Sequence, residues 1–121
     1  MLREKQRSGV RAARPDPSAA NPLHGWKRAF CEWTVTRGLS ENTAKVRDVA
    51  LGYFIRWADE RGLKHPAEIT RPVLQRYQRH LYLQRKANGQ PLAHTTQATR
   101  LLPLVAFFKW ATREGHILSN P

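Results

Sequence analysis

The sequence predicts an all-α fold, a compact bundle of four or five helices, four of which can be read along the chain. Three observations predict it. Apolar residues recur at three- and four-residue intervals from Leu23 onward, the spacing that puts them on one stripe of a helix. No segment sustains the apolar–polar alternation of a half-buried strand. Helix-opening residues (Ser40, Thr70) and helix-stopping glycines (Gly38, Gly62, Gly89, Gly115) punctuate the chain at helical lengths. A chain of 121 residues suits one domain, and four Trp, three Tyr and four Phe give it the means to bury a core.

Residues 1–21 stand apart. They carry Arg3, Lys5, Arg7, Arg11 and Arg14 against Glu4 and Asp16, with Pro15, Pro17 and few large apolar side chains. This composition reads as a disordered basic arm, and residues 22–121 as the folded domain. The first helix carries Leu23, Trp26, Phe30 and Trp33 on one stripe and ends near Gly38; Cys31 falls within it as a buried thiol. The second opens on Ser40, spans Glu41 to Arg61, and buries Val46, Ala50, Phe54 and Trp57. The third is capped by Thr70, tolerates Pro72 in its first turn, buries Val73 or Leu74 with Tyr77 and Leu81, and ends at Asn88-Gly89.

The fourth helix runs to about Glu114. Ala93 offers no capping oxygen, which leaves His94 or Thr95 to cap it. Pro103 removes one donor and crowds the Thr99 carbonyl, so a kink is expected between Thr99 and Pro103. Only Lys109 is polar between Leu101 and Ala111, so apolar residues occupy nearly every helical direction. One register sends Leu102, Val105, Phe108 and Ala111 to the core and leaves Leu104, Phe107 and Trp110 for a partner. In the alternative, the first helix or the Ile117-Leu118 tail covers them. Tyr53 and Tyr77 read as core and Tyr82 as a partly exposed packing residue.

Charge narrows the function. Lys and Arg number 21 against 9 Asp and Glu, and the net +12 calls for a polyanionic partner, double-stranded DNA before all others. An anionic membrane surface is the rival, but no stretch approaches the roughly 20 apolar residues of a spanning helix. No apolar h-region marks a signal peptide, and the acidic residues of the arm disfavour a transit peptide. A lone cysteine forms neither an internal disulfide nor a metal cluster and suits a reducing cytoplasm. His24, His65, His80, His94 and His116 lack the spacing of a helical metal pair, and the carboxylates, Asp59-Glu60 included, form no catalytic pair. No cofactor, metal or catalytic residue is therefore expected in this chain.

What remains is the helix openings. Ser40, Asn42, Thr43, Lys45 and Arg47 open the second helix; His94, Thr95, Thr96, Gln97 and Arg100 open the fourth. Short hydroxyl and amide side chains with cations at a helix N-terminus favour phosphate, and Gln and Arg suit base edges. Any one of these residues is adequately explained as a cap or a solvated face. Two such openings in one strongly basic chain favour helix ends entering a major groove.

The succession LSENTAKVRDVALGYFIRWADERG, EITRPVLQRYQRHL and LAHTTQATRLLPLVAFFKWATREGHILSNP resembles the N-terminal core-binding domain of tyrosine recombinases, the Xer-like and phage-integrase family. The resemblance covers about Leu23 to Pro121. It rests on the order of Ser40-x-x-Thr43, Phe54-x-x-Trp57, Ile69-Thr70, Phe107-Phe108-x-Trp110 and Gly115-x-Ile117-x-x-Asn120-Pro121. It implies a SAM-like bundle that binds DNA in site-specific recombination or integration, clamping one face of the recombination site. By the same resemblance, Asn120-Pro121 marks the junction to a C-terminal catalytic domain, which holds the Arg cluster, the His and the nucleophilic Tyr. Implied partners are that domain and neighbouring protomers on the DNA. The chain departs from the family pattern at Arg47, where an aromatic is common, at Val105-Ala106, where a basic residue is common, and at Ala93, where a capping Ser is common. Two other classes stay open at this point: a freestanding basic helical DNA-binding or architectural protein, and a helical protein-interaction module.

Overall fold

The computed structural model describes residues 16–121; most of the expected basic arm, residues 1–15, lies outside them. Four helices follow in order: α1 (Leu23–Thr36), α2 (Glu41–Asp59), α3 (Arg71–Leu83) and α4 (His94–Arg113), with a 3-10 turn at Pro66–Glu68 before α3. Among the described residues the only β-type pairing is an isolated bridge between Arg85 and Pro91. Local chemistry sets the boundaries. The Ser40 hydroxyl accepts the Thr43 N–H at 3.0 Å, closing an orphan donor at the start of α2. Thr70 does the same for Val73 at 3.4 Å, and Pro72 occupies a first-turn position where no N–H is needed. After α1, Gly38 takes a φ of 91°, a left-handed conformation that costs glycine nothing.

The core is built around α4. Phe30 of α1, fully buried, meets Phe107 edge-on at 5.5 Å and Trp110 at 5.4 Å between ring centroids. A second aromatic group joins α2 to α3: Tyr77 lies 5.0 Å from Phe54 and 5.1 Å from Trp57. Leu51, Ile55, Leu104 and Phe108 are buried in the same continuous core, and Ile117 of the tail is buried with them.

Several sequence expectations need correction. On α4 the buried set is Leu104, Phe107, Phe108, Trp110 and Ala111, whereas Leu102 is 65% and Val105 56% exposed. An all-apolar run offers two registers, and the one that hides Phe107 and Trp110 removes more apolar area from water than the one that hides Leu102 and Val105. The cover comes from within the domain, with Phe30 of α1 against Phe107 and Trp110, His116 against Trp110 and Leu51, Phe54 and Ile55 of α2 around Phe107, so no partner is needed for Phe107. Val46 and Tyr53, read as core, are 38% and 43% exposed; Tyr77 is buried as expected and Tyr82 exposed. Cys31 is half-buried, and burial raises its thiol pKa.

α3 ends at Leu83 rather than at Asn88-Gly89, because Lys86 N–H bonds Gln90 O at 2.8 Å and folds residues 85–91 into a tight hairpin, with Gly89 at φ 84°. Ala93 itself is the N-cap residue of α4 and supplies no side-chain bond; His94 is the first helical residue, so neither His94 nor Thr95 caps. α4 continues unbroken through the buried Pro103.

The folded body begins before Pro22. Ser18 and Asn21, assigned to the arm, are 1% and 4% exposed. The Asn21 amide donates to Asp59 Oδ1 and to Leu63 O, both at 2.9 Å, while its oxygen accepts the Leu23 N–H at 2.9 Å. Asn21 thereby opens α1 and ties it to the end of α2, and Asp59 is a bonded acceptor, not a solvated charge.

Two stability outcomes follow. Phe107→Ser loses roughly 3 to 5 kcal/mol in denaturant unfolding, the cost of truncating a buried aromatic, whereas Leu102→Ser stays within about 0.5 kcal/mol of the parent. Asn21→Ala, which strands a buried N–H and a carbonyl, loses about 1 to 3 kcal/mol by the same measurement.

Candidate nucleic-acid interface

The N-terminal half of α2 and the first half of α4 lie side by side, and their exposed faces form a seam of adjoining clefts. One, of about 330 Å³, is lined by Asn42, Thr43, Val46 and Arg47 of α2 and by Thr99 and Leu102 among others on α4. The next, of about 220 Å³, lies between Lys45, Val46 and Val49 on one side and Thr99 and Arg100 on the other. No carboxylate lines either. A third cleft, of about 290 Å³, continues along α2 past Tyr53 and Arg56 to α3, where His80 and Gln84 close it; Arg100 lines this one too, and Glu60 is its only carboxylate.

The seam therefore gathers Asn42, Thr43, Lys45, Arg47 and Arg100 from the two helix openings. Ser40, His94, Thr95, Thr96 and Gln97 line none of the three clefts. Ser40 is spent as the cap of α2. The Gln97 amide donates to Leu92 O at 3.1 Å, securing the connection into α4. His94 and Thr95 are exposed and Thr96 half-buried at the start of α4, whose cap residue bonds no N–H through its side chain.

The cations differ in freedom. Lys45 is exposed and makes no ion pair among the described residues. Arg47 is half-buried: its Nη1 donates to the buried Thr34 hydroxyl at 2.8 Å, and its guanidinium lies 4.9 Å from the Phe30 ring centre. It anchors α2 to α1. Arg100 stacks 3.9 Å over the Tyr53 ring, a contact that holds its planar charge at the junction of two clefts.

Sequence reading missed Tyr53, Val49 and Arg56 as members of this face. Asn42, Lys45/Val46, Val49, Tyr53 and Arg56 recur at three- and four-residue steps, one stripe of α2 adjoining the buried Ala50–Phe54–Trp57 stripe, and that period could have found them. Among the described residues, no group of three or more His, Cys, Asp and Glu is placed to hold a metal ion. No described helix is long and apolar enough to cross a membrane.

Tyrosine recombinase XerC 2 of Ralstonia nicotianae is 44% identical over 114 residues, a match that covers 94% of this chain and 33% of the relative. The chain thus spans about a third of the length of the curated relative it matches. No solved structure matches it. The model of the phage integrase SAM-like domain matches residues 23–121, from the first residue of α1 through the tail, and the chain belongs to that family.

Proposed function

We propose that this chain is the DNA-binding N-terminal domain of a site-specific tyrosine recombinase or integrase, acting in the cytoplasm, and that it holds one face of the recombination site through the α2–α4 seam. The observation that carries this reading is the seam itself. The opening of α2 meets α4 beyond its first turn on one surface that holds Lys45, Arg47 and Arg100 and no carboxylate across its first two clefts, in a chain of net charge +12. Asn42, Thr43 and Thr99 supply short hydrogen-bonding groups of the kinds that contact phosphate oxygens and base edges. Arg100 is suited to a bidentate contact, because Tyr53 already fixes its plane and less freedom is lost on binding.

The family and the relative support the recombinase half of the proposal. In this reading the strand-transfer chemistry belongs to a catalytic domain of the parent protein, and this chain contributes site binding and orientation. Protomers side by side on the recombination site are its further partners.

An isolated half of a clamp binds weakly, so affinity for duplex DNA is expected in the range of about 10⁻⁴ to 10⁻⁶ M at physiological salt. The affinity is expected to fall steeply between roughly 50 and 200 mM salt. Titration of a labelled duplex at those two salt concentrations measures it; affinity independent of salt, or no binding at the lower salt, overturns the proposal.

Substitutions separate the seam from diffuse charge. Lys45→Ala and Arg100→Ala each weaken duplex binding; Lys45→Ala lowers the slope of log K against log salt by about 1 with its unfolding midpoint nearly unchanged, whereas Arg100→Ala also loses about 0.5 to 1 kcal/mol of stability with its stacking on Tyr53. Arg79→Ala on α3, outside the three clefts, has the smaller effect. Arg47→Ala weakens binding and also lowers stability by roughly 1 to 3 kcal/mol, because the buried Thr34 hydroxyl, which still donates to Phe30 O, loses the charged donor it accepts from, and the Phe30 ring loses its guanidinium cover. Equal binding losses at Lys45, Arg100 and Arg79 would mean diffuse attraction.

A further inference from the structure

The seam carries an apolar strip that phosphate binding does not use. Val46 and Val49 stand one turn apart on α2 and are 38% and 56% exposed; Leu102, across the seam on α4, is 65% exposed. Val46 lines both of the first two clefts, with Val49 in one and Leu102 in the other, so the three side chains are neighbours on one surface and not scattered exposures. Isolated surface aliphatics need no explanation, but a contiguous set framed by polar groups marks a contact surface.

The frame says what kind of partner fits. Lys45, Arg47 and Arg100 edge the strip, Asn42, Thr43 and Thr99 intersperse it with hydrogen-bonding groups, and no acidic side chain lines it. A protein partner covering Val46, Val49 and Leu102 would have to bury or pair those cations with carboxylates of its own. Duplex DNA meets the cations with phosphates in any sequence. In its major groove the exposed apolar group is the 5-methyl of thymine, which aliphatic side chains contact favourably.

We propose that Val46, Val49 and Leu102 form a thymine-reading strip, contacting 5-methyl groups in the major groove while Lys45 and Arg100 hold the flanking phosphates. The inference rests on the DNA-binding reading above and adds to it the feature of the sequence that the seam discriminates. Cytosine presents only hydrogen at the same ring position, so the strip favours A·T over G·C pairs by shape and burial without a hydrogen bond. Each methyl group removed from water against an aliphatic side chain corresponds to about a fourfold change in affinity.

The test selects duplexes from a random pool with this chain at low salt, then replaces each thymine of an enriched duplex by deoxyuridine, which removes the methyl group and nothing else. The expected result is a loss of about fourfold at one to three positions, with affinity unchanged at the rest. The loss at those positions disappears in Leu102→Ser or in Val49→Ser, whose folding is checked by thermal melting. Replacing a selected G·C pair at a strip-contacted position by 5-methylcytosine paired with guanine raises affinity in the parent chain and not in the variants.

Deoxyuridine duplexes that all bind as their thymine parents overturn the inference and leave DNA binding standing. So does a loss that persists unchanged in both variants, or a pool that shows no enrichment although duplex is bound. Self-association abolished by Leu102→Ser, with no sensitivity to deoxyuridine, would assign the strip to a second copy of the chain. Absence of duplex binding at low salt overturns the DNA reading and this inference together.

Discussion

Phe30 against Phe107 and Trp110 is the contact on which the rest of the molecule depends. It decides which face of the nearly all-apolar stretch of α4, Leu101 to Ala111, turns inward. Once those rings meet, Leu102 has to face outward, since it lies on the opposite side of α4 from Phe107. α2 packs against both α1 and α4, so its N-terminal half lies beside the first half of α4 with a mixed polar and apolar stripe outward. The candidate binding surface is thus the complement of the core, set by where the aromatics went.

The surface is also stiffened from below. Arg47 reaches under the seam to Thr34 and Phe30, and Arg100 lies on Tyr53, so two of its cations are held by aromatic faces and a hydroxyl before any ligand arrives. A guanidinium already fixed in plane loses less freedom on meeting a phosphate than a free lysine does. The cost is that Arg47 serves two purposes, and a change there moves stability and charge at once. Lys45, untethered, reports on the electrostatic contribution alone.

How much of this was legible in the sequence depended on whether a local rule had one solution. The helices at Leu23, Glu41, Arg71 and His94 were legible because each carries apolar residues at three- and four-residue spacing, Ser40 and Thr70 are strong caps, and Gly38, Gly62 and Gly115 follow α1, α2 and α4. The buried stripes of α1 and α3 were legible because each has polar residues on the other face, leaving a single register. α4 had no such contrast: with only Lys109 polar between residues 101 and 111, spacing alone admitted two registers, and the tertiary contact with Phe30 chose. The end of α3 was misread because Asn88-Gly89, a good helix stop, is an equally good hairpin turn. Asn21 was placed in the arm because its composition is that of a linker; its three hydrogen bonds to Asp59, Leu63 and Leu23 are long-range or backbone-directed and leave no periodic trace.

The site was legible by residue type and less so by position. Cations and short polar groups at two helix openings pointed to the pair of helices that line the candidate seam, but the first turn of α4, singled out through its dipole, lies outside the clefts. Where α2 crosses α4, the neighbouring residues are Thr99, Arg100 and Leu102, one to two turns further along, and the crossing is a property of packing that no single helix encodes. Tyr53 was misassigned for a related reason: an aromatic adjoining an apolar stripe reads as core, yet here it is the support for a charge. An aromatic within reach of an arginine on a different helix can be half-exposed without being wasted, since the guanidinium covers the ring and the ring orients the guanidinium. In a strongly basic helical domain, exposed aromatics beside arginines are therefore as informative about the binding face as the arginines themselves.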